Sequence, residues 1–262
     1  MLISIITINY NDVVGLKKTM ISVLEQTYAD IEYIVIDGGS TDGSLDLIKA
    51  HKEKLAYWVS EPDKGIYHAM NKGIDQATGA YLLFLNGGDW LVDSSIIEKF
   101  VAFKPVEDLV YGDVFVRKGH AWRRKFMPKE MSFGMALSNT LAHQAEFYKR
   151  GLFDDDFRYD TSYQVVSDWI LTNHAIVFKQ ATSRYIDLVV CYFEDPGISS
   201  DFNLRHTERK RYLKANFDPL FLNLLKDYQR LHGQNQTLKG RFLVQVAVWI
   251  QDKRNRLFKT TK

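Results

Sequence analysis

Four short stretches of this 262-residue chain place groups that bind or move protons directly behind an apolar run. Tyr10 and Asn11 follow Leu2 to Ile8, and Asp37 opens DGGSTDG after Ile31 to Ile36. Glu61 and Asp63 stand in EPDKG after Ala56 to Val59, and Asn86 to Asp89 form NGGD after Ala80 to Leu85. One carboxylate can accept hydrogen bonds from the N–H of a base or from ribose hydroxyls, while a second holds a divalent cation that bridges a diphosphate. Asp, Asn and Gly are also ordinary turn formers and helix caps, and Asp42, Gly43 and Ser44 are read that way because the next helix needs its cap there. Asp37 and Asp89 come ahead of the capping position, which favours a ligand role. The glycine-rich turns match neither G-x-G-x-x-G nor the Walker A pattern, so a Rossmann oxidoreductase or a P-loop enzyme is not indicated.

Further along, Asp168 is a lone carboxylate in the apolar-aromatic stretch Val165-Val166-Ser167-Asp168-Trp169. It suits a general base, and equally an N-cap for a helix starting at Trp169; the two roles are compatible. His143 and Gln144 suit contact with a sugar or diphosphate, or a satisfied structural role among Leu141, Ala142 and Phe147. Asp113 reads either as a sugar contact or as the end of its strand. Glu194, Asp195 and the Gly197-Ile198-Ser199 turn suggest a loop that closes over a diphosphate.

The apolar runs, rich in Ile, Val, Leu, Tyr and Phe, read as strands buried on both faces, and Leu109 to Tyr111 adds a fifth. Helical patterns alternate with them: Leu16, Met20, Val23 and Leu24; Ser44 to Lys54; Ile66 to Ala77; Ser94 to Phe103. Strand-helix-strand units predict an α/β fold with a mostly parallel sheet and right-handed crossovers. The carboxyl ends of such strands share one edge, so the four polar stretches are expected to converge there. From Phe115 to Phe126 the pattern fits antiparallel strands or a loop, and from Leu204 onward it is helical.

With 46% hydrophobic residues and a net charge of +2, the chain has the composition of a folded domain and not of a disordered one. A single cysteine, Cys191, excludes an internal disulfide and reads as a buried thiol in Leu188 to Tyr192. The N-terminal apolar run is too short for a signal peptide or a membrane span, which predicts a cytoplasmic protein. Charge is uneven. Residues 203–262 carry 14 basic against 4 acidic residues, leaving 20 basic and 28 acidic in residues 1–202. This predicts a main domain over 1–202 and a basic, amphipathic helical extension over 203–262.

The motifs SIITINYN, SVLEQTY, YIVIDGGSTDGS, EPDKGIYHAMNKG, ATGAYLLFLNGGDW, YGD, HQAEFYKRGLF, SDW and DPGIS, in this order from about Ser4 to about Ser200, resemble glycosyltransferase family 2 of the GT-A fold. The pattern is most similar to bacterial enzymes that build surface polysaccharides such as O-antigen or capsule. The resemblance implies a Rossmann-like, mostly parallel sheet flanked by helices and an inverting transfer from a nucleotide-diphosphate sugar to a saccharide hydroxyl, with the acceptor expected on a lipid carrier. It implies that Tyr10 and Asp37 contact nucleobase and ribose, and that Asp63, Lys64 and Asn71 lie near nucleotide and donor sugar, with Asn11, Asn86 and His143 in the same set. Asp89 is implied as ligand to Mn2+ or Mg2+, and Asp168 as catalytic base. The family often has two or three carboxylates in its metal motif, whereas NGGD has only Asp89 in place.

Two other classes compete. A nucleotidyltransferase that makes the sugar nucleotide would share the α/β fold, but its Gly-rich, Arg-containing N-terminal loop is missing. A non-enzymatic nucleic-acid binder is suggested only by the basic tail, which lacks interleaved exposed aromatics. That tail fits better the inner face of a membrane: Leu220, Phe221, Leu224, Leu225, Tyr228 and Leu231 repeat at helical spacing, and Phe242 to Ile250 is an apolar run flanked by Lys239, Arg241, Lys253, Arg254 and Arg256. Packing of the same stripes at home, or against a second subunit, is the competing expectation.

Overall fold

The computed structural model describes residues 1–138, 140–193 and 201–234. The Glu194 to Ser199 loop and the Phe242 to Ile250 run lie outside them. The chain divides into two compact units, Met1–Met131 with Thr140–Ser200, and Ser132–Asn139 with Asp201–Lys262.

The first unit is built on β1 (Ile3–Asn9), α1 (Val13–Leu24), β2 (Ile31–Asp37), α2 (Ser44–Ala50), β3 (Tyr57–Ser60), α3 (Ile66–Gln76) and β4 (Tyr81–Asn86). These strands pair in parallel in the order β3-β2-β1-β4, as right-handed strand-helix-strand units require. Every residue of β1 is buried, which is why it reads as an unbroken apolar run instead of an alternating one. Leu16, Met20 and Val23 of α1, and Met70 and Ile74 of α3, supply the apolar stripes that cover the sheet. Gly73 of α3 lets this helix approach closely, since a Cβ there would stand 2.3 Å from Ile6 Cγ2.

The second half of this unit is mixed. β5 (Trp90–Leu91), α4 (Ile96–Ala102), β6 (Leu109–Lys118), β7 (Ala121–Lys125), β8 (Glu146–Lys149), α6 (Ser167–Asn173) and β9 (Ser183–Phe193) extend the sheet to β3-β2-β1-β4-β8-β6-β9-β5, with β7 paired to β6. Phe115 to Phe126 is therefore a hairpin, and the predicted Leu109 to Tyr111 strand runs seven residues further to Lys118. Asp113 does not end that strand. It sits mid-β6 with no exposure, and accepts from Arg124 Nε and the Met127 N–H at 2.7 Å and from the Tyr185 hydroxyl at 3.0 Å. Cys191 on β9 is fully buried, as its apolar neighbours predict.

The second unit contains α5 (Phe133–Ser138), α7 (Phe202–Asn216) and α8 (Pro219–Gln234). Part of the α8 stripe is packed within it: Phe221 and Leu225 are buried, and the Phe221 ring meets Phe133 at 5.4 Å and Phe217 at 4.9 Å. Leu220 stays 56% exposed.

Candidate functional site

At the carboxyl edge of the parallel strands, three turns close on Gly38. A Cβ there would lie 2.8 Å from Asp63 Oδ2 and 3.1 Å from Tyr10 Cδ2, so the bare backbone lets the β1, β2 and β3 turns meet. Tyr10 remains 67% exposed at the rim. Asn11 takes a left-handed backbone at φ 50, ties its Oδ1 to the Thr41 N–H at 2.8 Å, and donates its own N–H to Ser40 Oγ at 2.7 Å. Asp63 Oδ1 accepts the Gly65 N–H at 2.8 Å, which sets the start of α3, and Lys64 between them is exposed.

Asp37 is fully buried beneath this rim. Its Oδ1 accepts from Asn9 Nδ2 at 2.9 Å and Ser40 Oγ at 2.6 Å, its Oδ2 from the Ser40 N–H at 2.9 Å and Ser60 Oγ at 2.6 Å. Burial alone would push its pKa up, but the Ser40, Ser60 and Asn9 hydrogen bonds outweigh it and hold the carboxyl below its ordinary range. All four lone-pair positions are filled, so a nucleoside group reaches Asp37 only by exchange with a hydroxyl. Ser40 Oγ is already shared with the Asn11 N–H, which leaves Ser60 Oγ as the exchangeable partner.

Asn71 stands apart from this cluster. Its amide donates to the Tyr159 carbonyl and accepts the Tyr159 N–H, both at 2.9 Å, and so clamps α3 to the chain ahead of Asp168.

A second cluster gathers Asn86, Asp89, His143 and Asp168. The NGGD turn is bolted to α1 by Thr19, whose hydroxyl donates to the Asp89 carbonyl at 2.6 Å and accepts the Gly88 N–H at 3.0 Å. Asp89 is 5% exposed, and its Oδ2 accepts the Asn86 N–H at 3.2 Å. Burial raises its pKa to about 6, against the opposing pull of His143 and a hydrogen bond from Gln144. His143 bridges the turn to α6: Nδ1 faces Asp168 Oδ2 at 3.4 Å and Nε2 faces Asn86 Nδ2 at 3.2 Å. In the neutral ring Nδ1–H points at the carboxylate and Nε2 accepts from Asn86. A protonated ring needs the amide turned over, presenting Asn86 Oδ1, a buried oxygen with no partner in the present orientation. Burial pulls the His143 pKa down, but Asp168, Asp89 and Glu146 together raise it above its ordinary value.

α6 begins at Ser167, two residues before the start expected from sequence, with Val166 at the capping position, so Asp168 is the second helical residue and not the N-cap; its Oδ1 accepts the N–H of the next residue, Trp169, at 2.7 Å. The Tyr67 hydroxyl reaches Oδ1 at 3.4 Å. Sequence reasoning missed Tyr67, which reads only as an apolar helix position, and Glu146, an acid hidden inside HQAEFY. Glu146 is 2% exposed, is hydrogen-bonded by the Tyr148 and Thr172 hydroxyls, and is pushed up to about 7 by burial. Among the described residues no group of three or more His, Cys, Asp or Glu side chains could hold a metal ion. Nor is any described helix long and apolar enough to cross a membrane.

The profile of glycosyl transferase family 2 matches residues 4–168. A PGL/p-HBAD biosynthesis glycosyltransferase of Mycobacterium bovis (strain BCG / Pasteur 1173P2) is 34% identical over 201 residues, covering 74% of this chain and 77% of that one. The putative teichuronic acid biosynthesis glycosyltransferase TuaG of Bacillus subtilis (strain 168) is 30% identical over 149 residues, 53% of this chain and 58% of its own. The fold is similar to that of S. aureus TarS 1-349 in complex with UDP-GlcNAc, with a TM-score of 0.66 at 17% identity over 86% of this chain and 70% of that one. Against the longer TarS chain, 42% of its length is covered. It is similar also to the mannosyltransferase PcManGT from Pyrobaculum calidifontis in complex with GDP-Man and Mn2+, with a TM-score of 0.64 at 19% identity over 94% of this chain and 72% of that one.

Proposed function

The chain belongs to glycosyl transferase family 2 and is a glycosyltransferase of the GT-A fold; on that premise we propose that it transfers a sugar, with inversion, from a nucleoside-diphosphate sugar to a saccharide hydroxyl in the building of a surface polysaccharide. The observation that carries this reading is the pairing of two clusters on one strand edge: Tyr10, Asp37 and Asp63 around Gly38, and Asn86, Asp89, His143 and Asp168 beyond it. The first cluster has a ring and carboxylates for a nucleoside. The second has a carboxylate to take a proton, linked through His143 to the turn that carries the desolvated Asp89. Relatives named for PGL/p-HBAD biosynthesis and, putatively, for teichuronic acid biosynthesis support the polysaccharide assignment.

Transfer with inversion is one in-line displacement. Asp168 removes the proton of the acceptor hydroxyl as its oxygen attacks the anomeric carbon, and the diphosphate leaves from the opposite side. Tyr67 and the Trp169 N–H hold Oδ1, so Oδ2 is the oxygen that takes the proton, with His143 orienting it. Asp63 and Lys64 hold the nucleotide end, Asn71 fixes the backbone at Tyr159, and Asn11 fixes the turn that carries Ser40. Asp89 fits a hard cation, Mn2+ or Mg2+, of the kind that keeps its waters and takes one or two carboxylates plus substrate phosphates: its carboxylate is desolvated, and among the described residues no Lys or Arg pairs with it. Such a cation, when bound, supplies positive charge to the leaving diphosphate.

Residues 1–202 are proposed as the catalytic domain and the basic 203–262 segment as a contact to the cytoplasmic face of a membrane that carries the lipid-linked acceptor. The proposal is tested by calorimetry with UDP, GDP, TDP and CMP, with and without Mn2+. Micromolar binding of one nucleoside diphosphate, tightened by the cation, is expected; binding of none overturns it.

A further inference from the structure

Trp90 directly follows Asp89 and starts a ladder of rings. It pairs across β5 and β9 with Tyr192, which pairs across β9 and β6 with Phe115. The Trp90 and Tyr192 rings stack at 5.3 Å and 24°, Tyr192 and Phe115 at 5.1 Å and 21°. From β7, Trp122 stands edge-on to Trp90 at 5.4 Å and to Tyr192 at 4.8 Å. None of the four is fully buried. Four partly exposed rings spread over neighbouring strands contribute less to stability than the same rings in a core.

Beside Trp90, α1 and the strand leaving the NGGD turn enclose an open groove of about 510 Å³ whose walls include Lys18, Ser22, Glu25 and Trp90, a size within the usual range for small-molecule sites. Its geometry is fixed to the reaction site: Thr19, next to Lys18, grips the NGGD turn, and Ser22 Oγ accepts the Leu91 N–H at 3.1 Å. Lys18 Nζ rests over the Trp90 ring at 5.1 Å. Neither its ammonium nor the exposed Glu25 carboxylate has an ion-pair partner among the described residues.

We propose that this groove is an acceptor subsite that binds one hexopyranose unit, its C–H face on Trp90 and its hydroxyls on Lys18 and Glu25. The proposal rests on the glycosyl-transfer reading and adds to it where the acceptor lies. An indole face carries partial negative charge and attracts the polarised C–H bonds of a pyranose as it attracts the ammonium now over it. A solvated cation–π contact is weak, so the sugar displaces Lys18 at little cost, and the freed ammonium turns to a hydroxyl. Glu25, capping the C-terminal end of α1, is placed to accept another.

The test uses the full chain and four probes: the methyl glycosides of D-glucose, D-mannose, D-galactose and L-rhamnose, titrated under saturation-transfer NMR, with UDP and GDP affinities measured in parallel. At least one glycoside is expected to receive saturation through the C–H protons of one ring face. Trp90→Leu, and separately the surface pair Lys18→Ala with Glu25→Ala, are expected to weaken it about fivefold to tenfold, the span of one lost ring or charged contact, with nucleotide affinity within about twofold of the unsubstituted chain. If Trp90→Leu does not fold, the surface pair decides. The inference is overturned by no saturation of any probe, by unchanged affinity in the variants, or by a dimer in solution that Trp122→Ala dissociates, which assigns the ring face to a second copy. Failure to bind any nucleoside diphosphate counts against the donor reading instead, so the two can fail apart.

Discussion

Replacing Glu146 by Gln should make the protein more stable relative to the unsubstituted chain as pH rises, and the size of the effect follows from where this carboxyl sits. Its pKa moves from 4.5 to about 7 on folding, with burial as the largest cause. The folded chain therefore holds this proton more tightly than the unfolded chain does. The associated stability is fully present below pH 4.5, declines as the unfolded state ionises, and is gone once pH passes about 7. A shift of that size corresponds to about 3 kcal/mol lost between those limits. Glutamine is isosteric and does not titrate, and its carbonyl can accept from both the Tyr148 and Thr172 hydroxyls. Urea unfolding of both proteins at half-unit steps from pH 4.5 to 8 should show the variant gaining about 3 kcal/mol on the parent across that range. Parallel curves would refute the reasoning, since they would mean that Glu146 is as ionised inside the fold as outside it.

Three further outcomes follow from the reaction site. Asp168→Asn should lower turnover by about 10²- to 10⁴-fold while donor affinity by calorimetry stays near that of the parent, because only the proton acceptor is removed; near-normal turnover eliminates the base assignment. Asp37→Ala should weaken nucleoside-diphosphate binding about ten- to a hundredfold and also lower stability by about 2–4 kcal/mol, since Asn9, Ser40 and Ser60 lose their shared acceptor; a stable variant with unchanged affinity contradicts both. With Asp89 protonating at about pH 6, Mn2+ stimulation should weaken as pH falls below that point and vanish in Asp89→Ala, and full activity of the parent in excess chelator removes the cation from the account.

The half of the fold that is parallel was legible because its strands are buried on both faces and separated by whole helices, so β1 to β4 and the helices between them fall where the apolar runs and 3.6-residue stripes put them. The mixed half was not. β5 has two residues and β8 four, too short to show a period, and β8 joins β4 to β6 by antiparallel pairing that no local pattern announces. The same non-local pairing hid the second cluster: β8 and its preceding turn bring His143 between Asn86 and Asp168, residues 57 and 25 positions away in the chain. Asp37 was legible as special but not as satisfied, because the donors that fill it come from the ends of β1 and β3 and from the turn after β2.

Helix α3 also sets a length. Its first turn begins at the Asp63 to Gly65 contact of the proposed nucleotide cluster, Tyr67 reaches Asp168, the proposed base, and Asn71 clamps the chain at Tyr159. From Ile66 to Asn71 a helix rises about 7.5 Å, so one rigid rod gauges the gap between nucleotide and base, and the gap cannot be tuned in small steps. One residue added before Asn71 would swing its amide through about 100° and carry it off Tyr159 altogether. Changes in donor size must then be accommodated by side chains in the gap, because the span itself comes in whole helical residues.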